Sequence, residues 1–197
     1  MSESRRDQII ETAMKLFCRD GFHATGVDAV VQASGVAKMT LYRHFKSKDE
    51  LILAAIRRSD ERFRHWFMTE LEARASDPAG RLMRILDLVD ECIHNEEFSG
   101  CPFILASGEF SEPDHPVNVA VAEHTRLLHR YVSGIAAEAG VADPDSLTIQ
   151  ICLLAEGVFV QAHLGRKDVV AQARAAAETL IRHATAGVAA VGTSMTG

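Results

Sequence analysis

Lys38, Met39, Thr40 and Arg43 bring together, within six positions, side chains of the kind that touch the edges of DNA bases. An arginine can pair bidentately with guanine, and a methionine or a threonine methyl can meet the methyl group of thymine. Lysine adds a cation for phosphate, the contact that supplies affinity without regard to sequence. The spacing predicts a short helix. Leu41, Tyr42 and Phe45 fall on one side of it and Lys38, Thr40, Arg43 and His44 on the other.

Such side chains are useful only if their helix is held firmly, so the flanking segments matter. Thr25 followed by Asp28 reads as a capping signature for a preceding short helix, with apolar Val27, Val30 and Val31 behind it and Gly35 as its stop. Two short helices joined by a glycine-containing turn form a helix-turn-helix, whose second helix lies in the major groove. An earlier helix is expected to open at Ser4 with Asp7, to carry Ile9, Ile10, Ala13, Leu16 and Phe17 as one stripe, and to end at Gly21. Its stripe should pack on Val27, Val30, Leu41 and Phe45. Ser47 with Glu50 predicts another helix start, and neither Pro nor Gly interrupts the chain from there to about Ala75. This long helix connects the motif mechanically to the rest of the chain.

Thr25, Ala29, the Ala33-Ser34-Gly35-Val36 turn, Leu41-Tyr42, His44-Phe45, Ser47-Lys48 and Leu51 together closely resemble the DNA-binding domain of the tetracycline-repressor (TetR) family of bacterial transcriptional regulators. Beyond this N-terminal stretch the resemblance rests on length and an all-helical pattern. It implies that Thr25, Tyr42, His44 and Lys48 contact the phosphate backbone of a double-stranded DNA operator. It also implies a homodimer built from the last two helices, and a small-molecule effector whose binding moves the long fourth helix and releases the DNA. One position departs from the family pattern. Ala37 stands where many relatives carry a capping Ser or Thr, a side chain that typically contributes ~1 kcal/mol, and Ser34 or water is expected to hold the helix start instead.

All five prolines lie after residue 77 and punctuate the remainder. Asp77-Pro78, Asp114-His115-Pro116 and Asp143-Pro144 each predict an Asp-capped start, and Cys101-Pro102 a less clean one. The helices expected from them run from about 78 to 95, from 102, from 116 to 139 and from 144 to 164, with an alanine-rich helix over 168–186. The segment ICLLAEGVFVQA is apolar around most of its circumference, which implies burial on more than one side. The expected fold is all-α with about nine helices: a three-helix helix-turn-helix domain over 1–48, a larger helical ligand-binding and dimerisation domain over 49–187, and a disordered tail over 188–197. Trp66, Phe103, Phe110, His124, Tyr131, Glu156 and Phe159 are the candidates to line an effector site, and they suit an apolar or aromatic molecule with one or two hydrogen-bonding groups.

The chain has 197 residues, 47% of them hydrophobic, and a net charge of −6. Through Lys48 it carries 8 Lys and Arg against 5 acids, so a mildly basic head precedes an acidic remainder. The apolar stretches are interrupted short of bilayer-spanning length, and MSESRRDQ has no apolar leader core, so no membrane role and a soluble, cytoplasmic protein are expected. Four scattered cysteines, Cys18, Cys92, Cys101 and Cys152, suggest reduced thiols rather than disulfides or a zinc site. No catalytic motif is present, so no enzyme, catalytic residue or cofactor is expected. Two alternatives stay open: a metal-responsive regulator using Cys92, His94, Cys101 or His115, and an all-helical interaction module that keeps the motif for packing only.

Overall fold

The computed structural model describes residues 4–192 of the chain, with side-chain surroundings as far as residue 186. Among these residues the structure is helical throughout: α1 (Arg5–Asp20), α2 (Val27–Ser34), α3 (Lys38–His44), α4 (Lys48–Arg74), α5 (Pro78–His94), α6 (Pro102–Glu109), α7 (Pro116–Glu138), α8 (Pro144–His163) and, after one 3-10 turn (Lys167–Val169), α9 (Val170–Gly192). The last helix runs further than expected, since 188–192 continue α9; the rest of the expected tail, 193–197, lies outside the described residues.

Capping explains most of the boundaries. The Ser4 hydroxyl accepts the Asp7 N–H, Asp77 accepts from Gly80 N–H and Asp143 from Ser146 N–H, while Pro78, Pro102 and Pro144 occupy first-turn positions. Ser47 Oγ accepts the Glu50 N–H and Glu50 Oε2 the Lys46 N–H, which fixes the start of α4. Two expected caps are corrected. Asp114 does not cap α7; the His115 ring accepts the Val117 N–H instead, and the His115 carbonyl opens the helix at Val119. Thr25 does not cap α2 either. Its hydroxyl turns back to the end of α1, donating to the carbonyls of Gly21 (2.7 Å) and Leu16 (3.3 Å), so Gly26 becomes the N-cap. The hydroxyl thereby ties the turn back onto the last turn of α1.

The chain forms two compact units, residues Met1–Phe63 with Ser99–His124, and Arg64–Phe98 with Thr125–Gly197. In the first, Ile9, Ile10, Ala13 and Phe17 of α1 meet Val30, Leu41 and Phe45, as the apolar spacing requires. Leu51, Ile52, Ala55 and Ile56 of α4 and Phe103, Ala106 and Phe110 of α6 belong to the same cluster. The first unit therefore takes in part of the segment that the sequence assigns to the second domain. In the second unit, α5 buries Leu82, Ile85, Leu86, Leu88, Val89 and Ile93, and it packs with α8 and α9. Polar ties reinforce it: Arg174 spans Asp87 (2.8 Å) and Asp90 (3.1 Å), and Arg74 bonds Glu70 and Glu91.

By length and composition alone α8 is long and apolar enough to cross a membrane, while charged and polar residues interrupt its apolar runs as expected. Its charges fall only at Asp145 and Glu156. All four cysteines are reduced thiols outside any disulfide, with Cys152 buried and the others half-buried. Burial pushes Cys18 and Cys152 up to about 12, helped by Cys101 and Glu156 respectively, so both stay protonated near neutrality.

Candidate functional site

The helix-turn-helix is assembled from α2 and α3 against α1. Gly35 ends α2 in the left-handed region (φ 66°), a conformation that costs glycine nothing, and its N–H bonds the Val31 carbonyl. Gln8 of α1 reaches across to donate to the Ser34 carbonyl (2.9 Å), closing another C-terminal orphan. Ala37 is the N-cap of α3 and offers no side-chain bond. Ser34 does not substitute for it, since its hydroxyl donates to the Val31 carbonyl.

On α3 the side chains divide by burial. Leu41 and, just beyond the helix, Phe45 are buried, and the Arg6 guanidinium lies over the Phe45 ring at 5.3 Å. Lys38, Met39, Tyr42, Arg43 and His44 face outward, and Thr40 is half-buried. Met39 is 73% exposed. Lys38 is paired with Asp28 of α2 at 2.6 Å, and that carboxylate raises its pKa. Thr25, expected at the phosphate backbone, is only 4% exposed, with its hydroxyl directed into α1. Lys48 is half-buried and its Nζ donates to the His23 carbonyl at 2.7 Å.

The turn between α1 and α2 contains residues that sequence patterns do not single out. Phe22 is fully buried, stacked on Phe17 at 5.2 Å. Glu109, at the end of α6, accepts the N–H groups of Phe22 (2.8 Å) and His23 (2.6 Å) and lies 2.8 Å from His23 Nδ1. Burial acts to raise the pKa of this carboxyl, but the two N–H groups and the His23 ring together outweigh it and hold the group below its ordinary value. Nothing local to position 109 signals this role; a C-terminal Glu on a short helix opposes the helix dipole, which is the one hint that it has another use.

The candidate effector residues fall in different surroundings. His124 is buried, its Nδ1 2.8 Å from Asp60 Oδ1, with Phe103 stacked on its ring. Phe110 stacks between His23 and His115, each centroid 4.7 Å away. Phe159 stacks with Phe98 at 6.3 Å, Trp66 is half-buried, and Glu156 is exposed on α8. Tyr131 lines a groove of about 240 Å³ with Arg64, Met68, Leu127, Leu128 and Arg130. Its buried hydroxyl has no hydrogen-bond partner among the described residues, and burial raises its pKa. Along α8, Ile149, Leu153, Val160 and Leu164 form an exposed apolar stripe, with Leu153 at 62%. Among the described residues no three His, Cys, Asp or Glu side chains converge to hold a metal ion.

Residues 9–55 match the family model of bacterial regulatory proteins of the tetR family. The chain is 22% identical over 181 residues to the HTH-type transcriptional regulator YjdC of Escherichia coli, covering 91% of this chain and 95% of that one. It is 30% identical over 120 residues to the HTH-type transcriptional activator FasR of Mycolicibacterium smegmatis, covering 61% and 54%. The crystal structure of SCO4454, a TetR-family transcriptional regulator from Streptomyces coelicolor, superposes with a TM-score of 0.86 at 27% identity, covering 92% of this chain and 96% of that one.

Proposed function

Because the chain belongs to the TetR family of bacterial transcriptional regulators, whose members bind DNA and generally dimerise, we propose that it is a cytoplasmic, ligand-responsive repressor. As a homodimer it occupies a near-palindromic operator through two helix-turn-helix heads, and it leaves when a small apolar or aromatic molecule occupies the helical body. The observation that carries the DNA reading is the outward face of α3. Lys38, Met39, Tyr42 and Arg43 are exposed while Leu41 is buried, and a large apolar side chain left in water at Met39 is well used against a thymine methyl.

Lys38, Met39, Thr40 and Arg43 are the base-reading set, and Tyr42, His44 and Lys48 the phosphate set. Thr25 serves them through the turn it fixes. The dimer forms through α8 and α9. Support comes from the stripe Ile149, Leu153, Val160 and Leu164, whose spacings of four, seven and four keep one helix face apolar. An uncovered stripe of this kind marks an interaction surface. The effector enters the groove at Tyr131, which Arg64, Met68, Leu127, Leu128 and Arg130 also line. Its binding reaches the heads through α4, which is continuous from Lys48 to Arg74.

Selection of bound duplexes from random DNA tests this function. The recovered site should be a near-palindrome with half-sites about 34 Å apart, and an asymmetric single half-site would count against the dimeric reading. A reporter gene under that site, measured with and without the protein, separates repression from activation, the role that the name of FasR records for that relative.

A further inference from the structure

His23, in the turn between α1 and α2, is held on both sides of its backbone. Its N–H and that of Phe22 go to the Glu109 carboxylate, at 2.6 and 2.8 Å, across 86 and 87 positions of sequence. Its carbonyl accepts from Lys48 Nζ at 2.7 Å. The His23 ring is pinned as well, between Glu109 Oε2 at 2.8 Å and the Phe110 ring at 4.7 Å. Gly21 leaves room for this arrangement. Its φ of 96° suits glycine, and a Cβ there would stand 3.3 Å from Glu109 Oε1. The carboxylate thus meets the turn where its backbone is barest.

We propose that Glu109 is a positioning residue for DNA binding. By fixing the turn it sets the His23 carbonyl on which the Lys48 ammonium rests, and so aims Lys48 at the DNA backbone. An ammonium has three donors, and one bond to His23 leaves two for phosphate oxygens. A lysine stem loses much rotamer freedom when it binds, and seating it beforehand removes part of that cost. The proposal rests on reading Lys48 as a phosphate contact. Simple charge predicts the opposite effect of altering Glu109. Replacing an anion by a neutral group in an acidic protein would by itself tighten binding to DNA, whereas loss of positioning weakens it.

The test is equilibrium binding of the full-length protein to a duplex of arbitrary sequence at several salt concentrations. It compares the unaltered protein with Glu109→Gln, Lys48→Ala and the double variant. Glu109→Gln should weaken binding about tenfold, the loss expected for bonds to a charged group. The slope of log affinity against log salt should become shallower by up to about one unit. In the Lys48→Ala background the same change should cost nothing further. Unchanged or tighter binding by Glu109→Gln overturns the proposal, as does a loss of equal size in both backgrounds. Equal salt slopes for the unaltered protein and Lys48→Ala would remove the premise, and the proposal with it. Amide hydrogen exchange on the unaltered protein guards against a variant that fails to fold. Phe22 and His23 should exchange slowly, and exchange as fast as in an open turn overturns the clamp.

Discussion

The imidazole of His124 and the carboxylate of Asp60 form a buried pair, with Nδ1 2.8 Å from Oδ1, under a Phe103 ring stacked at 3.5 Å and 8°. The polar contact joins α4 to α7 within the first unit, and the stacked Phe103 ring adds α6 to them. A hydrogen bond to a charged group contributes about 1.5–3 kcal/mol. Asp60→Ala should lower the unfolding free energy by about that amount, and Asp60→Asn, which keeps an oxygen acceptor, by less. Urea denaturation measures both. Equal losses would show that the carboxylate's charge matters rather than its place as an acceptor.

Ala37 is the N-cap of α3 in extended geometry (φ −66°, ψ 141°), the conformation from which a serine hydroxyl reaches the N–H groups of the first turn. Ala37→Ser should therefore stabilise the protein by ~1 kcal/mol, read as a higher denaturation midpoint at unchanged m. No gain would mean that those N–H groups are already well satisfied by water.

These two sites mark how far the sequence could be read. The three-helix head was legible because its signals are local: Ser4 and Asp7 three apart, Gly35 after a short apolar run, Leu41 and Phe45 four apart. The uncapped start at Ala37 was legible only as a departure from the pattern of the family the motif resembles. What failed was the choice between local partners. Thr25 had the spacing of a cap for α2, yet its hydroxyl bonds back to the carbonyls of Gly21 and Leu16 at the end of α1. The Glu109 clamp was not legible at all, since the groups it joins are 86 and 87 residues apart and no periodicity connects them. His124 was singled out only as a candidate to line an effector site, and nothing in the sequence marks Asp60, 64 positions away, as its partner.

Arg43 and Lys48 should separate the two kinds of DNA contact. Arg43→Ala is expected to relax or change preference at defined base positions, at about 1–3 kcal/mol for a lost bidentate pair. Lys48→Ala should weaken binding to all sequences and make the salt dependence shallower by about one unit. Selection profiles and salt titrations on both variants check this. A changed profile for Lys48→Ala with an unchanged slope would reverse the assignment.

Leu153 is 62% exposed at the middle of the α8 stripe, beside Ile149 and ahead of Val160 and Leu164. In a dimer formed through this face it becomes buried, and a charge placed there is left without a partner inside an apolar contact. Leu153→Lys should convert the dimer to monomer in sedimentation at micromolar concentration and leave the far-ultraviolet circular dichroism intact. The same change at Leu164, 68% exposed nearer the end of α8, should act less strongly if the contact is centred on Leu153. A dimer unmoved by both changes would place the interface elsewhere.

Glu109 supplies a pH dependence whose sign follows from its surroundings. Its carboxyl is held below the ordinary value of 4.5 in the folded protein, burial being outweighed by the N–H groups of His23 and Phe22 and by the His23 ring. The unfolded chain therefore binds this proton more tightly than the folded one. The contribution to stability is present in full above the unfolded pKa and is lost as pH falls through the folded pKa. With its side chain 28% exposed, solvent screening limits the size of the effect. The stability difference between the unaltered protein and Glu109→Gln should thus be constant from about pH 7 to about pH 5 and shrink below about pH 4.5. Denaturant titrations across that range decide the matter. A difference that stayed the same down to about pH 3 would show that the bonds to Phe22 and His23 do not depend on the carboxylate's charge.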